Sequence, residues 1–262
     1  MMTVHASVFR SRVKVAVVCA VLLLGACAGG DGPSGEDGQR YLVERVGGRG
    51  ATASGTSASF ASLADMLPNV AYQVPGGTAA PVTDLVVVGE VTSVDEGAGF
   101  RPVSESVEQR EDGDGIETDF DDPEALWKTV EFTVKVSDVL GPGPNGTDTE
   151  LSEVRVGLAI DGADDFELIS TGLRALGPSA FFLMEDSAVF AYDPGLFSVV
   201  LNGSMVATIG DDGALSLPFK DPEEAAALLE TVGTLSELEA AAEMEPKVIQ
   251  LEPNGSLVEP AD

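Results

Sequence analysis

The chain has 262 residues, and its 44 acidic side chains outnumber its 14 basic ones, which gives a formal net charge of −30 at pH 7. Nucleic-acid binding depends on lysine and arginine side chains that neutralise phosphates, so this balance excludes nucleic acid as a partner. The same charge predicts that the folded domain is repelled by an anionic membrane surface.

Residues 1–26 are predicted to be a lipoprotein signal peptide. Three basic residues and no acid precede an apolar run over residues 15–24. A membrane-spanning helix needs about 20 apolar residues, so this run is too short to span. A basic start, a short apolar run and small residues before a cleavage point are typical of an export signal.

The apolar run ends in Leu24-Gly25-Ala26-Cys27, which resembles the lipobox of bacterial lipoproteins. The resemblance implies cleavage before Cys27, a diacylglycerol thioether on its sulfur and acylation, as with palmitate, of the new amino terminus. Two or three chains on one residue make a stable anchor, whereas one chain binds only marginally. The prediction is therefore a lipid-anchored protein on the extracytoplasmic face of the cell membrane. The alternative is an ordinary signal peptide that contains a chance cysteine.

Cleavage would change the chemistry that the chain can perform. The mature chain would have 11 basic and 44 acidic residues, a formal charge of −33, and would lose His5 and Cys19. Without histidine or a free thiol, Ser-His and Cys-His nucleophilic systems and histidine metal sites are excluded. Catalysis by paired carboxylates, as in glycosidases, is not excluded by the 44 acids. A carboxylate-dependent hydrolase is therefore kept as an alternative.

The region before the strands is predicted to be poor in regular structure. Residues 27–58 are rich in Gly, Ser, Ala and charge and are interpreted as a flexible tether, about 30 Å in root-mean-square reach. Within it, residues 41–46 are interpreted as a strand or an apolar patch. Residues 59–67 predict a short helix that Pro68 ends.

From Thr83 onward the hydrophobic pattern has the period of strands. Residues 84–94 form a continuous β-branched run in which Gly89 predicts a bend or bulge. Residues 126–139 and 154–160 alternate cleanly, and residues 180–184 are a further buried run. An Asn-Gly pair at 202–203, between two apolar runs, predicts a β-hairpin.

The carboxyl-terminal part is predicted to be helical over residues 219–245. Asp221 is a capping acid and Pro222 suits the first helical position, so one helix should run to about Val232. Gly233 interrupts the pattern, and a second short helix is predicted over residues 235–244. Residues 246–262 are interpreted as a loose tail.

The strand runs that begin at Asp84, Val130, Glu153 and Leu176 are similar to those of exported actinobacterial and firmicute proteins with an OB-like, netrin/TIMP-like barrel. The resemblance covers about residues 60–215. It implies a mainly β fold: a small OB-like Greek-key barrel domain at 59–218, with a short helix before it and one or two helices after it. In the metalloproteinase inhibitors of that fold an amino-terminal cysteine chelates zinc. Here Cys27 is predicted to carry lipid, so that mechanism does not transfer.

Two further motifs are interpreted as structural. Residues 141–146 spell G-x-G-x-x-G after a strand, but two prolines and no helix start follow, so a turn is predicted rather than a dinucleotide site. Trp127, the only tryptophan, is predicted to be a core or rim residue.

The densest acidic cluster covers residues 111–122. Calcium favours several carboxylates on one loop, and a double alanine variant at Asp112 and Asp114 would test whether this loop binds it. The EF-hand spacing fails, because in a loop that begins at Asp112 the fifth position is Ile116 and the sixth, where glycine is required, is Glu117. A solvated loop is the main interpretation, and a calcium-binding surface module is the alternative. The acids at 161–165 are interpreted in the same way.

These observations lead to one hypothesis. The chain is predicted to be a non-enzymatic, lipid-anchored envelope protein, with a binding or structural role and an unknown ligand. Lipidation is assigned to Cys27, and no catalytic, cofactor-binding or metal-binding residue is assigned. The membrane, reached through the lipid, is the only partner named.

Overall fold

Strands dominate the part of the chain that the structure describes, which confirms the predicted mainly β fold. The structure is a computed structural model, and it describes residues 32–50, 60–102, 115–141, 151–185 and 195–251. The signal peptide and Cys27 lie outside these ranges.

The described elements follow one another from α1 to β11. The α-helices are α1 Gly35–Gly50, α2 Phe166–Arg174, α3 Pro222–Leu229 and α4 Leu235–Ala242, and a 3-10 helix spans Leu63–Met66. The strands are β1 Val70–Gln73, β2 Ala80–Pro81, β3 Leu85–Pro102, β4 Gly115–Thr118, β5 Trp127–Leu140, β6 Glu153–Asp161, β7 Ser179–Glu185, β8 Phe197–Val199, β9 Val206–Ile209, β10 Leu215–Ser216 and β11 Lys247–Gln250.

Five of these strands close into a barrel. Strand β3 pairs with β5 and with β7, and β5 pairs in turn with β6, all antiparallel. Strand β6 pairs with β8 in parallel, and β8 returns to β7. Helix α2 connects β6 to β7. A closed ring of five strands with this order and one parallel pair is an OB-like Greek-key barrel, as predicted.

The ring closes because β3 is long and bent. Its 18 residues pair with two different strands, and its register with β5 shifts at three points, the first between Val88 and Gly89. A β-carbon at Gly89 would collide with the carbonyl oxygen of Lys135. The predicted bulge at Gly89 is therefore confirmed, and it lets the backbones of β3 and β5 approach closely.

The barrel interior is filled by the alternating residues of β5 and β6. Val130, Phe132 and Val134 of β5 are buried, as are the alternate apolar residues of β6 from Val154 to Ile160. Strand β7 is buried on both faces, since the consecutive Phe181 and Phe182 are both inaccessible. This explains why the β7 sequence is a continuous apolar run.

The hairpin predicted at Asn202-Gly203 is wrong. Strands β8 and β9 pair with β7 and not with each other, and they lie one after the other along the same edge of β7. Leu201, Asn202 and Gly203 all have positive φ, the left-handed backbone that glycine and asparagine adopt most readily. Three such residues in a row form a loop between two segments of one edge rather than a two-residue turn.

The tether predicted over residues 27–58 is wrong for Gly35–Gly50, which form helix α1. The interpretation of residues 41–46 as a strand or patch is wrong for the same reason. Leu42 and Val46 are four residues apart, so they share one helix face, and both are buried in the core. Packing against α2, rather than helix propensity, explains this helix. The rest of the predicted tether is described only over residues 32–34, which have no regular structure, since 27–31 and 51–58 lie outside the described ranges.

The predicted short helix at 59–67 is a single 3-10 turn. Leu63–Met66 follow Ser62, whose hydroxyl accepts a hydrogen bond from the backbone N–H of Ala64. The turn ends before Pro68, as predicted. Residue 59 lies outside the described residues.

The two carboxyl-terminal helices are confirmed, but the loose tail is wrong in part. Asp221 caps α3 and accepts from the backbone N–H groups of Glu223 and Glu224, and Thr234 and Glu237 form a capping box at α4. Strand β11 then pairs in parallel with β1, which also pairs with β2, to form a separate three-stranded sheet. Residues 252–262 are outside the described part.

Candidate functional site

The predicted lipidation site lies outside the described residues. Cys27 precedes the first residue of α1, Gly35, by eight positions. Among the described residues, no helix is both long enough and apolar enough to cross a membrane. Lipidation of Cys27 stays a prediction from the sequence.

The acidic cluster at 111–122 is described only from Gly115 onward, so Asp112 and Asp114 fall outside. Asp119 and Asp121 are exposed, whereas Asp122 is buried. One carboxylate oxygen of Asp122 accepts hydrogen bonds from the Thr118 hydroxyl and from Nε of Arg101.

The other carboxylate oxygen of Asp122 accepts from the backbone N–H of Glu124 at 2.9 Å. Arg101 also forms an ion pair with this carboxylate. The Thr118 hydrogen bond, followed by the Glu124 N–H and Arg101, lowers the pKa of Asp122 to about 2. Both oxygens are engaged within the fold, so Asp122 fastens the loop after β4 to strand β3.

The second acidic cluster, at 161–165, also serves the fold. Asp164 is buried and accepts from the backbone N–H of Asp161 at 2.9 Å. Its carboxylate lies 3.2 Å from the Arg45 guanidinium of α1. Asp165 is the N-cap of α2 and accepts from the N–H of Leu168 at 3.1 Å. These acids bind the start of α2, the backbone N–H of Asp161 at the end of β6 and the guanidinium of Arg45.

The described residues contain no cluster of side chains that could bind a metal ion. No group of three or more Cys, Asp or Glu side chains there is arranged to hold an ion. The calcium alternative consequently depends on residues 111–114, which the structure does not describe.

Trp127 lies at the rim of the barrel, on the first residue of β5. Its ring stacks on the ring of Phe100 in β3, with centroids 3.7 Å apart and planes 8° from parallel. Phe100 is buried and Trp127 is half-buried. The pair covers the end of the β3–β5 interface, and the prediction of a core or rim role agrees with this position.

An open cleft of about 510 Å³ lies between the end of β5 and helix α4. Among the described residues, three carboxylates and no basic side chain line it; these lining residues are Asp138, Val139, Leu140, Gly141, Glu239, Ala242 and Glu243. Sequence reasoning missed this cleft, because its two halves are about a hundred residues apart. One local signal was available: Glu239 and Glu243 are four apart at the end of a helix, where acids are unfavourable.

Gly141 closes the β5 side of the cleft with a positive φ of 88°. This left-handed backbone is consistent with the turn predicted for the G-x-G-x-x-G segment. Residues 142–150 of that segment lie outside the described residues.

Comparison with protein-family models, with curated proteins and with solved structures found no match. The OB-like description of this chain therefore stands on its own strand pairing.

Proposed function

We propose that this chain is a lipoprotein, anchored through Cys27 to the extracytoplasmic face of the cell membrane, and that its OB-like barrel is a non-enzymatic binding or structural module of the envelope. The observation that carries the proposal is Leu24-Gly25-Ala26-Cys27 at the end of a short apolar run that follows a basic start. The basic start and apolar run account for export, and a lipid on that cysteine accounts for retention.

The contacts of the acidic residues support a non-enzymatic role. Carboxylate catalysis needs two acids that face one reacting bond. In the two clusters that the sequence singles out, Asp122, Asp164 and Asp165 are instead hydrogen-bonded to backbone, hydroxyl or guanidinium groups of the chain. These bonds indicate that the three acids stabilise the fold.

The fold and the charge support a binding or structural role that does not involve nucleic acid. OB-like barrels bind ligands on the face of their second and third strands, here β5 and β6. An ion pair of 2.7 Å between Glu131 of β5 and Arg155 of β6 crosses that face. Arg155 is thus paired with an acid of the same face, and the mature charge of −33 opposes a phosphate backbone.

Replacement of each of the two cysteines tests the anchor. The chain is expressed with its own leader in a bacterium that processes lipoproteins, and membrane and soluble fractions are compared. Wild type and Cys19→Ala should both be found in the membrane, with a mature mass that carries a diacylglyceryl Cys27. Cys27→Ala should lose the lipid mass and leave the membrane fraction. Membrane retention of Cys27→Ala, or an unmodified Cys27 in the native protein, would contradict the proposal.

A further inference from the structure

The sequence of α1 opposes an isolated helix. Five of its sixteen residues are glycine, and three of these, Gly38, Gly47 and Gly48, are interior. Glycine is the least favourable ordinary residue in a helix, and helices of this length are marginal in water even with good helix formers. Helix α1 therefore depends on the surface against which it packs.

That surface is α2 and the adjoining end of the barrel. Leu42 and Val46 are buried there, at 0% and 2% exposure. Gly38 crosses α2 at Gly172 so closely that a β-carbon on Gly38 would lie 2.6 Å from the Gly172 nitrogen. The small residues permit a backbone contact that larger side chains would block.

Polar contacts fasten α1 to both ends of α2. At the start of α2, the Tyr41 hydroxyl accepts from the Asp165 N–H at 2.9 Å, and Arg45 pairs with Asp164. At the other end, Nε2 of Gln39 donates to the carbonyl oxygen of Ala175. These bonds orient α1 along α2, and a helix held by contacts on one face can open as a unit.

The position of α1 in the chain gives this docking a consequence. Gly35 follows Cys27 by eight positions, and Phe60, the first described residue after α1, follows it by 33. Covalent geometry limits the span to about 29 Å for eight residues and about 120 Å for 33.

We propose that α1 is a strap: it is helical only while it is docked on α2, and its docking sets how far the barrel can stand from its anchor. Undocking releases α1 into the connection and lengthens the reach of the barrel. This inference rests on the proposed anchor at Cys27.

A matched pair of glycine variants tests the strap. Alanine favours a helix over glycine at either position. At Gly35 the added carbon would lie 3.5 Å from the Ala175 side chain, which is an ordinary contact, whereas at Gly38 it would strike the backbone of α2. If α1 is helical only when docked, Gly38→Ala should undock it and Gly35→Ala should not.

Hydrogen exchange of the mature lipidated chain in phosphatidylcholine vesicles measures the docking. In wild type, the amides of residues 39–47 should open together and more often than those of β5. Gly38→Ala should lower the protection of the α1 amides about tenfold or more and leave the protection of the β5 amides unchanged. Gly35→Ala should keep the wild-type protection of the α1 amides. If Gly38→Ala kept or raised α1 protection, or if β5 lost protection with α1, the strap would be wrong.

Energy transfer in the same vesicles measures the reach. Asp211 is exposed, and a donor on Asp211→Cys would be the only reactive thiol once Cys27 carries lipid. With acceptor lipids in the vesicle, energy transfer should be weaker in Gly38→Ala than in Gly35→Ala. Equal transfer in the two variants would mean that undocking of α1 does not change how far the barrel stands from the membrane. Failure of every variant to bind vesicles would contradict the anchor, while exchange at α1 would still report on docking.

Discussion

The carboxylate of Asp164 lies 3.2 Å from the guanidinium of Arg45, a residue 119 positions earlier in the chain. The two groups are unequal in exposure, with the Asp164 side chain at 1% and the Arg45 side chain at 47%. The buried carboxylate therefore depends on a cation that reaches it from α1. This pair is the electrostatic part of the contact between α1 and the barrel.

Replacement of Arg45 by methionine should weaken this contact. The change keeps much of the side-chain stem but removes the Arg45 charge from beside the buried carboxylate. The opening free energy of α1, measured by hydrogen exchange, should therefore fall. Arg40→Met is the matched control, because Arg40 pairs with Asp37 on the exposed surface of the same helix and should change little. Equal effects of the two variants would show that the Asp164 pair has no special role.

Protonation of Asp122 should destabilise the protein in acid. Its pKa is lowered from 3.8 to about 2 in the fold, so folding favours the charged form. The stabilisation is fully present above the unfolded pKa and is lost as the pH falls from about 4 to 2. Urea titrations should show the stability difference between wild type and Asp122→Asn shrinking over that window. Asp121→Asn, at the exposed neighbour, should show no such convergence.

Closure of the barrel depends on Gly89. Gly89→Ala would drive a β-carbon into the backbone of β5 at Lys135, and overpacking of this kind costs about 1–3 kcal/mol. The urea midpoint should fall accordingly, with an unchanged slope if unfolding stays two-state. Gly32→Ala serves as the control, since nothing lies within 4 Å of its added carbon. A wild-type midpoint for Gly89→Ala would mean that β3 and β5 can move apart at this point.

The sequence predicted the barrel well because its signals are local. The alternation of Val130, Phe132 and Val134 depends only on the period of a strand and the burial of one face. The capping residue Asp221 acts within one turn of helix α3. Such elements can be predicted without knowing what they pack against.

The errors occur where distant partners decide the structure. The glycines of helix α1 are typical of a flexible tether. The segment is helical because it packs against α2. Strand β11 is only four residues long and mostly exposed, and it forms because β1, 177 positions earlier, offers a free edge. The hairpin predicted at Asn202 is wrong because both neighbouring segments pair with β7. The acidic cleft was missed for the same reason, since β5 and α4 form it together.

The carboxylates of the cleft predict a stabilising substitution. Glu243 is the exposed C-cap of α4, four residues after Glu239 and at the negative end of the helix dipole. Glu243→Gln should therefore raise the free energy of unfolding by about 0.3–1 kcal/mol at low ionic strength. Glu223→Gln, in the first turn of α3, should lower it by a similar amount because an acid is favourable there. Urea unfolding at low and high salt measures both, and salt should reduce both shifts. Destabilisation by Glu243→Gln would mean that this carboxylate makes a favourable contact in the cleft that outweighs the repulsion.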